Sequence, residues 1–148
     1  MQVHELGHVV LYVSTLEVSR RFYRDVLGFH EIGSMGGADA MFGSGRTHHE
    51  LLLIEVGDDA QPIPRGRRVG MYHFGLKIGT TDDELRAALE DLRAAGVSVS
   101  GMSDHTVTHS LYLFDPDGNE LELYIDVQPE IWRDDPAAVG APTKPLRL

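Results

Sequence analysis

The chain has 148 residues, one domain's length, and its 42% hydrophobic and 24% charged residues make a composition able to bury a core. Thirteen Lys and Arg against 23 Asp and Glu leave a net charge of −10, a field that repels phosphate backbones and anionic lipid and so disfavours nucleic acid or a membrane as partner. There are no cysteines, which excludes disulfides, thiol nucleophiles, iron–sulfur clusters and zinc–thiolate sites, so any metal must take nitrogen and oxygen ligands, for which eight histidines are available.

The N-terminal residues lack a basic stretch followed by an apolar one, and the longest purely apolar run is Val9–Val13, so a soluble cytoplasmic protein is expected. The β-branched stretch Gly7–Val13 predicts a strand. Ser14 or Thr15 then caps a helix from about Leu16 to Leu27, with Phe22 and Val26 on one face and Gly28 as its stop. Short strands follow around Phe29–Gly33 and Ala38–Phe42, and a stronger one spans His48–Val56. Gly57–Gly70, rich in Pro, Gly and charge, reads as a connection.

The same order then recurs. Met71–Ile78 predicts a strand, and Thr81-Asp82-Asp83-Glu84 is a capping box opening a helix with Leu85, Leu89 and Leu92 as its buried stripe and Gly96 as its end. Strands Val97–Ser100, Thr108–Phe114 and Glu120–Ile125 follow, the last two joined by the turn Asp115-Pro116-Asp117-Gly118-Asn119. Beyond Val127 four prolines argue for a surface-wrapping or mobile tail without regular elements. Both halves thus read strand–helix–three strands, with His8 and His73 at equivalent places, which favours an internal duplication. The expected architecture is a single α+β domain over residues 1–148. It comprises two βαβββ modules (about 5–57 and 71–127), a linker at 57–70 and a tail at 128–148, its mixed sheet curled around a central cavity.

Strand side chains alternate faces, and this sorts the candidate ligands. Val9, Leu11 and Val13 form an apolar face and leave His8, Val10 and Tyr12 opposite. Tyr72, Phe74, Leu76 and Ile78 leave His73, Gly75 and Lys77 opposite. Leu121, Leu123 and Ile125 leave Glu120, Glu122 and Tyr124 opposite. A strand histidine on its own is more often a hydrogen-bonded or exposed side chain than a ligand. If duplicated sheets curl around the polar face, however, His8, His73 and Glu122 converge. Two imidazoles and a carboxylate suit a divalent first-row ion such as iron(II), with positions left open for substrate and oxygen.

These residues carry a resemblance. Phe22-Tyr23-Arg24-Asp25-Val26-Leu27-Gly28-Phe29 and the Asp115–Asn119 turn followed by Glu120 and Glu122 resemble the vicinal oxygen chelate superfamily of glyoxalases, bleomycin-resistance proteins and type I extradiol dioxygenases. Gly70–Phe74, Gly101–His105, Leu111–Tyr124 and the His48-His49 pair are similar to catechol 2,3-dioxygenase-like proteins. The resemblance implies the vicinal oxygen chelate fold, with metal ligands His8, His73 and Glu122. It also implies His49 as the histidine acting on catecholate and oxygen, and His105 and Tyr112 as further residues beside the substrate. The implied reaction is iron(II)-dependent extradiol cleavage of a small catechol-type aromatic, inserting both atoms of O₂. Manganese, nickel and zinc are the other ions such a set accepts, and a homodimer is implied.

Two alternatives stand beside it. Glyoxalase-type members take a fourth protein ligand from the strand equivalent to His48–Val56, where Glu50 is the candidate for a metal-dependent isomerase or lyase. Alternation lets only one of His49 and Glu50 face inward, and Leu51–Ile54, apolar on both faces, does not choose. A non-catalytic protein that binds a drug-like small molecule is the third reading, and it needs no metal triad.

Overall fold

The structure is a computed structural model that describes residues 1–148. The chain forms two compact units, Met1–Ile63 and Pro64–Leu148, each built on its own mixed sheet. No helix is long and apolar enough to cross a membrane.

In the first unit, β1 (Val9–Val13), β2 (Glu31–Gly33), β3 (Asp39–Phe42) and β4 (Leu51–Glu55) lie in the order β1-β4-β3-β2. β1 and β4 are parallel and the other pairs antiparallel. Leu11, Val13, Phe42, Leu51 and Leu53 are buried, while Val10 and Tyr12 are exposed on the other face of β1, as the alternation predicts. Two boundaries are shorter than expected. Gly7 and His8 precede β1, and His48, His49 and Glu50 precede β4, although the backbone pairing of Val9 N–H with the Glu50 carbonyl at 2.9 Å ties these two leading segments together.

The first helix departs further from expectation. α1 (Leu16–Arg21) gives way to a π-helical turn, Phe22–Val26, closed by the Leu27 N–H on the Phe22 carbonyl at 3.0 Å. Phe22 and Tyr23, both buried, lie in this wider turn. Thr15 is the N-cap residue, but its side chain does not bond the helix. Glu55 supplies the cap instead, accepting from the Leu16 N–H at 2.6 Å, while the Thr15 hydroxyl donates to Asp58 at 3.2 Å.

In the second unit, β5 (His73–Gly79), β6 (Val99–Asp104), β7 (Thr108–Phe114), β8 (Glu120–Asp126) and β9 (Lys144–Pro145) lie in the order β5-β8-β7-β6-β9. β5 pairs parallel to β8, and the remaining neighbours are antiparallel. α2 (Asp82–Ala94) covers one face. It opens with the complete capping box, Thr81 with Glu84, and buries Leu85, Leu89 and Leu92, each contributing about 2 kcal/mol. Leu111, Leu113, Leu121, Leu123 and Ile125 complete that core. The Asp115–Asn119 turn is held by the buried Asp115 carboxylate, which accepts from the backbone N–H groups of Asp117 and Asn119 and from the Asn119 side chain at 2.8–3.0 Å.

Here too elements differ from expectation, and β5 begins two residues later than expected, at His73. β6 begins two residues later and runs to Asp104, so Ser103 and Asp104 belong to a strand rather than a loop. The tail is regular after all. α3 (Pro129–Asp134) and a 3-10 turn (Pro136–Gly140) each start on a proline, a position where its missing N–H costs nothing, and β9 adds to the edge of β6.

Candidate metal centre

In the second unit the open face of the sheet carries a connected set of donors. The β5–β8 register sets Gly75 opposite Glu122, and His73 Nε2 lies 3.2 Å from Glu122 Oε2. A Cβ at Gly75 would stand 3.3 Å from the Tyr124 ring and 3.7 Å from Glu122 Oε2, so glycine leaves room beside the carboxylate. Across the β7–β8 ladder Tyr112 is the direct neighbour of Glu122, and its hydroxyl donates to Glu122 Oε1 at 2.9 Å. Burial first, then this bond to a carboxylate, pushes the Tyr112 hydroxyl well above its ordinary pKa, so it stays protonated and remains a donor.

Because that single proton goes to Glu122, the 2.8 Å contact between Tyr112 and His105 Nε2 must be an imidazole N–H donating to the phenol oxygen. In the neutral ring His105 Nδ1 is then the acceptor, and the Thr143 hydroxyl stands 3.1 Å from it. With that ring, the order Thr143, His105, Tyr112, Glu122 is a directed chain of hydrogen bonds ending on a carboxylate, and its Tyr112-to-Glu122 step holds for either form of the imidazole. His105 occupies the β6–β7 connection, where Thr106 adopts φ +74° and its N–H bonds Asp104 at 2.6 Å. His109 bonds Asp82, the first residue of α2, at 2.6 Å, a structural tie.

The donor set fits a divalent ion. Two ligand atoms in neighbouring positions on an ion at about 2.1 Å lie about 3 Å apart, close to the observed His73–Glu122 separation. The other nitrogen of His73, Nδ1, is buried without a partner.

In the first unit His8, His48 and His49 form a second cluster, with ligand atoms all within 4.8 Å of one another. The His8 and His49 rings lie 4.5 Å apart between centroids, and those of His48 and His49 4.3 Å. Arg46 assembles the group. It bonds the Leu6 and Gly7 carbonyls at 3.3 and 3.1 Å and pairs with Glu5 and Glu50, fastening the segment before β1 to the segment before β4. Burial first, and then the neighbouring His48 and His8, hold His49 below its ordinary pKa, which leaves a neutral ring whose Nε2 has no partner.

Glu50 is committed elsewhere. Its carboxylate accepts from the Ser44 N–H and hydroxyl at 2.6 and 2.8 Å. Burial acts to raise its pKa, but these bonds and Arg46 outweigh it and keep the group ionised below the usual carboxylate range. Within this unit His49, not Glu50, is the member of the pair that joins His8.

Thr143 and His48 are the members of these two groups for which sequence reasoning found no role. The adjacent histidines were visible in the sequence. Thr143 carried no local signal, because only the pairing of β9 with β6 brings it to His105.

Residues 5–123 match the Glyoxalase/Bleomycin resistance protein/Dioxygenase superfamily, and the chain belongs to it. Catechol-2,3-dioxygenase of Bacillus subtilis is 33% identical over 136 residues, covering 90% of this chain and 46% of that protein. Biphenyl-2,3-diol 1,2-dioxygenase 2 of Rhodococcus globerulus is 34% identical over 122 residues, 82% of this chain and 63% of that protein. Among solved structures, lactoylglutathione lyase from Agrobacterium tumefaciens superimposes with a TM-score of 0.61 at 27% identity, covering 85% of this chain and 94% of that one. The chain spans about half the length of the Bacillus relative, 46%.

Proposed function

We propose that the protein is an iron(II)-dependent extradiol dioxygenase acting on a small catechol-type aromatic. The observation that carries this reading is the directed network His105–Tyr112–Glu122 beside His73, on a chain whose curated relatives include two ring-diol dioxygenases. His73 and Glu122 are two of the three proposed ligands. His8 is the third, and its inclusion rests on the sequence resemblance.

When bound, iron(II) would chelate the two oxygens of a diol and couple the ring electronically to O₂. The chain's residues would do the rest. Tyr112 fixes the orientation of the Glu122 carboxylate by its hydrogen bond. His105, held as the Nε2–H tautomer, spends both ring nitrogens on Tyr112 and Thr143 and so acts by positioning Tyr112. His49, kept neutral, is the base that takes the proton of a diol hydroxyl and later returns it. The engagement of Glu50 with Ser44 and Arg46 supports three protein ligands over four, and so favours the oxygenase over a glyoxalase-type isomerase or lyase.

The test is anaerobic loading with iron(II), followed by a panel of catechols and air. Oxygen uptake with a yellow ring-opened product is expected, lost in H73A and E122Q, which should also fail to retain iron. Fully iron-loaded protein that consumes no oxygen with any diol on the panel would sink the reading.

A further inference from the structure

The His8–His48–His49 cluster uses one residue, His48, that the oxygenase reading leaves idle. We propose that this cluster is a metal site in its own right, taking a nitrogen-favouring divalent ion, zinc or copper(II), with ligands from the first unit alone. Three features support it. The three ligand atoms already lie within 4.8 Å of one another, whereas a tetrahedral ion with bonds of about 2.05 Å needs them about 3.4 Å apart. Rotation of the exposed His8 and His48 rings supplies that closure. The His49 Nε2 is buried and unpartnered, the state of a donor that lacks an acceptor or an ion. Finally, His48 Nδ1 stands 3.2 Å from the Thr47 hydroxyl, so with its proton on Nδ1 the ring turns the Nε2 lone pair to the site, the outer-shell support that metal-bound histidines use.

An all-imidazole set discriminates among ions. Copper(II) and zinc outrank iron(II) at nitrogen sites, whereas a set containing a carboxylate, such as His73 with Glu122, suits the harder ferrous ion. Occupation of the histidine cluster withdraws His8 and His49 from any other task, so zinc would inhibit an iron-dependent reaction by competing for His8. The site itself requires no residue of the second unit and stands whether or not the oxygenase reading holds.

The test is zinc titration of the metal-free, full-length H73A/E122Q protein by calorimetry and by competition with a chromophoric chelator. One zinc per chain is expected to bind, with affinity reduced at least tenfold by H48A or H48Q. The same comparison between wild type and H48Q, following zinc affinity and iron(II) affinity separately, guards against misfolding of the double variant. There, zinc binding falls and iron(II) binding holds. Zinc affinity unchanged by both His48 substitutions, or absent once His73 and Glu122 are replaced in a protein with native circular dichroism, overturns the site. Failure of the oxygenase reading would show instead as absent oxygen uptake with zinc binding intact.

Discussion

The Tyr112 hydroxyl donates to Glu122 Oε1 while accepting from His105 Nε2, so one phenol oxygen fixes both a carboxylate orientation and an imidazole tautomer. Tyr112 is placed there by register, since β7 and β8 pair it directly with Glu122. Replacement by Phe keeps the ring and removes only the bridge. Iron(II) affinity of Y112F is predicted to fall about tenfold, as for other partners that orient metal ligands, with little change in melting temperature. Anaerobic titration beside a thermal melt checks it; an unchanged affinity would show that Glu122 needs no such support.

Glu50 separates two chemistries. If its carboxylate were a metal ligand, E50Q would lose metal. Bound to Ser44 and Arg46 as it is, the substitution is instead predicted to leave iron(II) stoichiometry intact and to cost about 1–2 kcal/mol of stability, because charge-assisted bonds become neutral ones. Metal analysis and urea unfolding of the same preparation decide between these outcomes.

Thr106 is the one non-glycine residue with positive φ, +74°, and it is β-branched. The left-handed conformation costs an L-residue about 1–2 kcal/mol, and Asn tolerates it better. T106N is predicted to raise stability by about 1 kcal/mol, seen as a higher urea midpoint. A lower midpoint would mean that the threonine side chain holds the turn by contacts outweighing the strain.

Acid should weaken the first unit. The Arg20 bond holds Glu31 below its ordinary 4.5, assisted by the charges of Arg20 and Arg24 against the opposing effect of burial. The Met35 N–H, against burial and with the Gly37 N–H, holds Asp39 below 3.8. Depressed folded-state values mean that these groups add stability above their unfolded pKa, and that this stability disappears as pH falls through the folded values. Urea midpoints are therefore predicted to decline gently below about pH 6.5, where the unfolded chain protonates His49 before the folded one does, and to drop further below about pH 4.5, with a shallower acid drop in E31Q. Equal slopes in the two proteins would remove Glu31 from the account.

Legibility in the sequence followed the reach of the interaction. β8 was readable because Leu121, Leu123 and Ile125 alternate strictly with polar residues, and α2 because its capping box and leucine stripe are local. The start of β4 was not. The apolar run Leu51–Ile54 has no period to mark an edge, and the bond of the Glu50 carboxylate to Ser44 leaves no mark in the pattern. Phe22–Val26 carries the same apolar spacing as an α-helix, so its wider turn left no trace in the pattern. Prolines in the tail signalled irregularity when two of them were helix openers, and Thr143 reached His105 only through a two-residue strand. Candidate ligands were thus readable from alternation and resemblance, and the hydrogen bonds around them were not.

The parallel pairing of β5 with β8 brings His73 to Glu122 only after α2, β6 and β7 have been threaded between them. The pair is a contact of high contact order, among the slowest kinds to form. An ion that requires both donors therefore discriminates sharply against partly folded chains, and its binding energy adds to the native state alone. Dissociation of the ion and loss of the second unit's structure should accordingly be coupled events, so that chelators would lower its melting temperature and heat would release its metal.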